Sequence, residues 1–412
     1  MRWSRRSRKL FSWIFLAAAA LGLTAALSCP SPANAVTAQY YADLDFPPLG
    51  SVQIPDYERY ELPNGLVVYL MEDHDLPLVS GSMTFRTGQF LEPANQVSLG
   101  SLTGEAMRLG GTETLSPDEL NQQLEQRAAS VEVNISTTAG SASFNALSED
   151  TADVFALFAD VIRHPAFAPE KIELIKRQYE GSIARRNDNP DDITGREFRK
   201  LVYGEDSPYA RTVEYANLSN IQRQDVIDFY KATIQSRGSI LGISGDFDPA
   251  QMKALIAQAF DDWQSVGAAV KQTFEPPEAS QQHTGVFMVD QPQLTQSYIQ
   301  IGHLGGKLND PYYPPMEVLN EALNGLGGRL FNDIRSRQGL AYSVYAYWSP
   351  RYDYSGLFIG GGQTRSEATV PFIQSVVDEI KRVCTEEISV AELQYAKDAV
   401  LNSFVFNFAT PE

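Results

Sequence analysis

A run of glycines followed by a short apolar helix and an aromatic strand is the feature that most restricts the fold of this sequence. The glycines, which permit backbone angles and close approaches that a side chain would prevent, are Gly325, Gly327 and Gly328. Apolar residues at helical spacing precede a glycine suited to end a helix, and these residues are Leu330, Phe331, Ile334 and Gly339. Residues 341–348 are rich in tyrosine, valine and tryptophan, which favours a half-buried strand. The stretch therefore predicts a hinge, a helix and a strand in succession.

Two polar side chains border the corner between this helix and this strand. Arg335 lies late in the predicted helix and Tyr342 lies early in the predicted strand, so the two can converge on one spot. A guanidinium beside a phenol can bind a carbonyl oxygen or an oxyanion. In the alternative interpretation, Arg335 caps the end of the helix and Tyr342 is a core aromatic. The residues alone favour this second, structural interpretation.

The same stretch also resembles a family signature. Residues 327–344 read Gly-Gly-Arg-Leu-Phe-x-x-Ile-Arg-x-x-x-Gly-Leu-Ala-Tyr-Ser-Val, which is similar to the second-domain signature of the insulinase/pitrilysin family of zinc metallopeptidases. The resemblance implies that Arg335 and Tyr342 help to hold substrate over a zinc site carried by the family's first domain. It also implies an α+β fold of two homologous domains, each an antiparallel-rich sheet with helices packed on one face, of the LuxS/metallohydrolase-like type.

Length and charge limit the classes of partner. The chain has 412 residues, of which 43% are hydrophobic, and this is ample for two packed domains. Its formal net charge is -18, and the first nine residues contribute five of the basic side chains and no acidic one. So acidic a chain disfavours nucleic acid and anionic membranes as partners.

The first 35 residues predict an export signal. A basic segment precedes an apolar run at residues 10–27, and Ala-Asn-Ala at residues 33–35 supplies a small-x-small cleavage site. We therefore expect the mature protein to begin at Val36, to lie in the periplasm or another extracytoplasmic space, and to keep no stable membrane insertion after cleavage.

Three other interpretations of the N-terminus are weaker. The apolar run approaches the length of a membrane anchor. Cys29 suggests a lipoprotein, but residues 26–27 fit the lipid-attachment pattern poorly, and the pair Arg5-Arg6 lacks the apolar residues that a twin-arginine signal needs next. After cleavage Cys384 is the only cysteine left, so no disulfide can form within the chain.

Patterning divides the remaining chain into four parts. We expect an arm at residues 36–55, a first domain at 56–265, a linker at 266–283 and a second domain at 284–412. In the first domain, strands are predicted at residues 57–62, 66–71, 79–86, 131–136, 141–146 and 239–244. Helices are predicted at residues 97–109, 151–163, 169–186, 219–233 and 248–263. A further helix is predicted to begin at the capping box of Ser116. This order predicts an antiparallel sheet covered by helices on one face.

The second domain repeats the first weakly. In each, a strand leads through glycine and an acid–proline pair into a helix, at Glu92-Pro93 in the first copy and Asp310-Pro311 in the second. A capped helix from Ser389 to about residue 406 then corresponds to the first copy's helix from Pro169. The elements that follow in the first copy have no counterpart before residue 412. We therefore expect a truncated second domain, with part of its sheet and core uncovered.

The family resemblance also locates the zinc motif. In active members, His-x-x-Glu-His lies on the helix before a Gly-Thr turn, which places it at residues 102–106 of this sequence. Only Glu105 is retained, because Leu102 and Ala106 occupy the histidine positions and cannot bind a metal. The family's third ligand, a glutamate, falls on Gly181 or Ser182. The four histidines have no ligand spacing and suit surface or loop roles: His74, His164, His283 and His303. We expect no zinc site and no other cofactor in this chain.

Three functions remain open. The chain is either the non-catalytic subunit of an exported peptidase or a structural scaffold of the same fold with no role in catalysis. In the first case Arg335 and Tyr342 act in trans, on a peptide substrate held by a zinc-bearing partner subunit of the same family. The third possibility, a hydrolase with another constellation, has no Ser/His/Asp or Cys/His grouping to support it. The first is favoured, and the chain by itself is predicted to be inactive.

Overall fold

The computed structural model describes residues 55–265, 284–325 and 327–408, all of which belong to one compact unit. The predicted signal segment, nearly all of the predicted arm, and the predicted linker lie outside the described residues. Within the described ranges, no helix is both long enough and apolar enough to cross a bilayer.

The described residues alternate strands and helices. The strands are β1 (Glu58–Glu61), β2 (Val67–Glu72), β3 (Leu78–Phe85), β4 (Ser130–Ile135), β5 (Gly140–Leu147), β6 (Ile240–Gly245), β7 (Gln296–Leu304), β8 (Ala341–Ser349) and β9 (Leu357–Arg365). The α-helices are α1 (Leu99–Leu109), α2 (Pro117–Glu125), α3 (Thr151–Arg163), α4 (Pro169–Arg185), α5 (Pro190–Tyr203), α6 (Tyr215–Asn220), α7 (Arg223–Thr233), α8 (Pro249–Phe260), α9 (Tyr313–Leu323), α10 (Thr369–Thr385) and α11 (Val390–Phe404). Single 3-10 turns occupy Gln89–Leu91, Ala94–Gln96, Ser148–Asp150, Ser366–Ala368 and Val405–Phe408, and a π-helix occupies Phe331–Arg337.

The first sheet has six strands in the order β1-β2-β6-β3-β5-β4. Its pairs are antiparallel except for β2 with β6, which is parallel. Strand β3 shows why one face is apolar, because Val79, Met83 and Phe85 are buried on that face while the opposite face carries Ser80, Ser82 and Thr84. Gly81 completes this apolar face, since a Cβ there would overlap the ring of Phe144. The α+β class predicted from the sequence is confirmed.

The second sheet has three antiparallel strands in the order β7-β9-β8. Its core lies on the face covered by α9, the π-helix and α10, and its fully buried residues are Leu323, Leu330, Ile334, Ala346, Phe372 and Val376. The order β7-β9-β8 repeats the order β3-β5-β4 of the first sheet. Among the described residues, however, no strand pairs with the outer edge of β7, where β6 borders β3 in the first sheet.

Helix α5 joins the two halves and was not predicted from the sequence. It packs on the face of the second sheet opposite α9 and α10, where Phe198 and Val202 meet Ile359. Just beyond α5, the ring of Tyr209 stacks on Tyr354 with 3.9 Å between their centroids. The second sheet therefore has helices on both faces.

Three predicted helices in the first half have wrong bounds, and the one expected at residues 248–263 spans Pro249–Phe260. The helix expected at residues 219–233 is two helices, because Ile221 is extended and Gln222 with Asp225 forms a capping box that begins α7. Helix α1 begins at residue 99 instead of 97. Ser98 there has φ of 77°, and the carboxylate of Glu92 accepts hydrogen bonds from the N–H groups of Ser98 and Gly100.

Candidate functional site

The helix that carries Arg335 is a π-helix, a form that occurs mostly as short insertions and often at functional sites. Its wide turn is visible at its end, where the N–H of Gln338 donates to the carbonyl of Asp333 at 3.1 Å. Ile334 is completely buried and anchors the helix on the second core. Gly328 precedes the helix, where a Cβ would overlap the carbonyl of Asn324. The glycine hinge is therefore needed for the chain to turn from α9 into the π-helix.

A series of ion pairs connects the π-helix to the two helices that follow it in sequence. The buried guanidinium of Arg329 donates to both carboxylate oxygens of Glu392, at 2.7 and 3.1 Å, and lies 3.5 Å from Glu379. Arg382 lies 3.1 Å from Glu379 and 3.6 Å from Asp333 of the π-helix. The hydrogen bonds from Arg329 lower the pKa of Glu392 to about 2. These ion pairs thus tie the π-helix to both α10 and α11.

Tyr342 reaches the surface through a β-bulge. Ala341 lies opposite Thr364 and Ser343 lies opposite Gln363, so Tyr342 is the extra residue of the bulge. Bulges redirect side chains and are common beside active sites. The side chain of Tyr342 is 74% exposed, which excludes the interpretation of this residue as a core aromatic.

The structure brings Arg335 and Tyr342 together. The guanidinium carbon of Arg335 lies 5.5 Å from the ring centroid of Tyr342 and 4.8 Å from that of Phe331. Within the described part of the chain, no carboxylate lies at ion-pair distance from Arg335. Both side chains are exposed. The site therefore presents a free guanidinium and a phenol at one surface, and their role in catalysis stays a prediction.

Asn320 of α9 and Asn324, which directly follows α9, cover part of the outer edge of β8, and neither was predicted from the sequence. The side chain of Asn324 accepts from the N–H of Ala346 at 3.0 Å and donates to its carbonyl at 2.8 Å. Asn320 binds Trp348 in the same way, at 2.8 and 2.9 Å. The amides thus replace a neighbouring strand at these two positions of the edge. The signal in the sequence was a pair of asparagines four residues apart, one in the last turn of α9 and one directly after it.

The position that corresponds to the family's zinc motif does not fit a metal ion. Leu102 and Ala106 of α1 are completely buried in the first core and carry no ligand atoms. The carboxylate of Glu105 accepts a hydrogen bond of 2.5 Å from the hydroxyl of Tyr179 on α4. Burial raises the pKa of Tyr179, so its hydroxyl keeps the proton that it donates. Across residues 55–265 and the two later described ranges, no three metal-binding side chains are grouped to hold an ion.

The described histidines lie apart from both positions. His74 joins Asp246 at 2.5 Å and Glu72 at 2.7 Å, and these hydrogen bonds, led by that to Asp246, raise its pKa. His164 lies 3.0 Å from Asp160, and the ring of His303 stacks on Phe358. Their exposed positions agree with the surface and loop roles expected from the sequence. His283 lies outside the described residues.

Two family models match the chain. The model described as Insulinase (Peptidase family M16) matches residues 67–208, and the model described as Peptidase M16 inactive domain matches residues 220–400. The inactive-domain model therefore includes the π-helix and β8, while the first model includes α1 and α4.

Relatives carry similar names. The uncharacterized zinc protease YmxG of Bacillus subtilis is 24% identical over 356 residues, which is 85% of this chain and 84% of that protein. An uncharacterized zinc protease of Rickettsia bellii is 26% identical over 263 residues, or 62% of this chain and 60% of that protein's length.

Solved structures share the fold. A peptidase M16 inactive domain from Pseudomonas fluorescens superposes with a TM-score of 0.75 at 23% identity, over 84% of each chain. The periplasmic protease PqqL of Escherichia coli gives a TM-score of 0.73 at 16% identity, over 87% of this chain and 40% of that one. With two models of one family covering most of its length, this chain belongs to the insulinase family, peptidase family M16.

Proposed function

We propose that this chain is the non-catalytic subunit of an exported insulinase-family peptidase. A second subunit of the same family binds the zinc ion, and this chain contributes Arg335 and Tyr342 to the shared site. The substrate is an extended peptide. By itself the chain cleaves no peptide and binds no stoichiometric zinc, because neither Leu102 nor Ala106 has a ligand atom.

The observation that carries this proposal is the exposed, unpaired Arg335 beside the exposed Tyr342. A scaffold has no need for such a pair, since an exposed tyrosine and an arginine without a carboxylate contribute little to stability. A binding role accounts for both features, because a ligand can reach the phenol hydroxyl and the guanidinium N–H groups together.

The chemistry of the pair suits a peptide carbonyl. Arg335 presents planar N–H donors and Tyr342 presents one O–H donor, and both can donate to the same oxygen. Donors aimed at an oxygen that gains negative charge stabilise the transition state by on the order of 3 kcal/mol each. The pair therefore acts on the carbonyl of the bond to be cleaved, and its fixed position limits the reorganisation needed during the reaction.

Capture and reconstitution test the proposal. The full-length chain, tagged at its C-terminus, is isolated from the extracytoplasmic fraction of its source cells, and the co-purifying proteins are identified by mass spectrometry. We expect a family member with an intact His-x-x-Glu-His motif. Turnover of a fluorogenic unfolded peptide is then measured for each chain alone and for the pair, and only the pair should be active. Full activity of the partner alone would leave the scaffold function in place of this one.

Export is tested separately. The apolar run, the basic start and the cleavage motif support a mature chain that begins at Val36. Intact-mass analysis of the exported protein should give that start. A lipid on Cys29 or an unprocessed Met1 would contradict it.

A further inference from the structure

Among the described residues, the guanidinium of Arg335 contacts two aromatic rings and forms no ion pair with a carboxylate. It lies 4.8 Å from the ring centroid of Phe331 and 5.5 Å from that of Tyr342. We propose that Phe331 is a positioning residue, which fixes the Arg335 guanidinium against Tyr342 in the orientation that receives the peptide. This inference rests on the proposed function, because it assigns a third residue to the same site.

The choice of rings has a chemical consequence. A carboxylate partner would occupy guanidinium N–H groups and neutralise the charge, whereas a ring face attracts the cation and occupies none of its in-plane donors. Neighbouring arginines show the other solution: Arg329 binds Glu392, and Arg337 contacts Asp333. Arg335 is thus held in place while its donors stay available for a ligand.

The position of Phe331 suits this task. It begins the π-helix four residues before Arg335, and residues four apart share one face of a helix. The helix itself is fixed by the buried Ile334 and by the ion pair between Asp333 and Arg382. An unsupported arginine loses much rotamer freedom when it binds a ligand, and stacking on Phe331 removes that loss in advance.

The first test needs no partner. In deuterated protein labelled with ¹⁵N-arginine, the Nε–Hε signal of Arg335 is assigned by its disappearance in Arg335→Lys. Ring faces shift protons above them upfield, so we expect an upfield, ordered signal in the wild type and in Phe331→Tyr. In Phe331→Leu the signal should move towards that of a free arginine and lose order. Ser336→Ala, a neighbouring exposed change on the same π-helix, should leave it unchanged. If the signal in Phe331→Leu keeps the position that it has in the wild type, the inference is wrong.

The second test uses the reconstituted pair of subunits. Phe331→Leu should lower kcat about three-fold with little change in KM, and Phe331→Tyr should restore it. A purely structural role for Phe331 would instead lower the melting temperature and leave kcat per folded molecule unchanged, and that result also overturns the inference. Failure of the proposed function would give a different result. The wild-type chain would still show the ring-shifted Arg335 signal, but the pair of subunits with both Arg335 and Tyr342 replaced would turn over peptide normally.

Discussion

The position to which the family resemblance assigns the zinc motif is buried, whereas the position that carries Arg335 is exposed. In the first half, Leu102 and Ala106 are completely buried and belong to the core, while the hydroxyl of Tyr179 binds Glu105. In the second half, Tyr342 projects into solvent and Arg335 has no carboxylate partner among the described residues. One position is packed with apolar side chains, and the other presents exposed polar groups that form no ion pair among the described residues.

The difference shows which of the two positions packing alone can explain. A ligand-bearing helix face that loses its ligands becomes an ordinary core face, since leucine and alanine pack well against a sheet. An exposed arginine–tyrosine pair contributes little to stability, so packing does not account for it.

A histidine at residue 102 should destabilise the first domain. Replacing Leu102 with His removes buried apolar contacts and inserts a polar ring without partners, which should lower the free energy of unfolding by about 4 kcal/mol. Urea denaturation of the purified chain measures the change, and Glu105→Gln on the same helix is the control with a small effect. Unchanged stability in Leu102→His would mean that the site still has room for a ligand and that the contrast is false.

The exposed position should matter to catalysis and not to folding. Tyr342→Phe removes only the hydroxyl, and we expect it to lower kcat of the reconstituted pair of subunits roughly 100-fold at an unchanged melting temperature. Arg335→Lys keeps the charge and loses the planar donors, so it should have a similar effect. Normal turnover in the well-folded double variant would remove the proposed function.

The edge cover beside the site should stabilise the second sheet. Asn324→Ala leaves the N–H and carbonyl of the completely buried Ala346 without their partner, which should cost about 2 kcal/mol. It also opens an edge strand, so light scattering should rise at high protein concentration. Asn332→Ala is the matched control, because Asn332 is exposed and its side-chain amide donates to the carbonyl of Gly327 and not to a strand edge. Equal stability of the two variants would show that water replaces the amide of Asn324.

The sequence predicted structure that depends on neighbouring residues, but it did not predict contacts between distant segments. The predicted helix at residues 151–163 is confirmed to the residue, and the capping box at Ser116 is present, because both depend on neighbouring residues. Arg335 and Tyr342 are only seven positions apart across one corner, so their convergence could also be foreseen. Helix α5 could not, since its apolar residues pack on Ile359 of a distant strand.

The same limit applied to the site. Phe331 looked like a core residue by its helical spacing, and only the structure shows that its ring faces the guanidinium of Arg335. The pairing of Asn324 with Ala346 depends on how α9 crosses the edge of β8, which residue patterns do not encode. The contact between Glu105 and the hydroxyl of Tyr179 could not be foreseen either, because Tyr179 comes from another helix.

The smallest effect concerns the series of ion pairs that connects the π-helix to α10 and α11. Arg329 lowers the pKa of Glu392 to about 2, from a usual value of 4.5. Because the folded-state pKa is the lower one, this carboxylate stabilises the fold above pH 4.5, and the contribution disappears as the pH falls towards 2. The side chain of Glu392 is 35% exposed, so solvent screening reduces the expected contribution to about 1 kcal/mol. Urea denaturation between pH 5 and pH 2 should therefore show a steeper loss of stability in the wild type than in Glu392→Gln. The control is Glu386→Gln, which removes an exposed ion pair with Arg382 and should behave like the wild type. Parallel curves for all three proteins would mean that the ion pair between Arg329 and Glu392 does not support the π-helix.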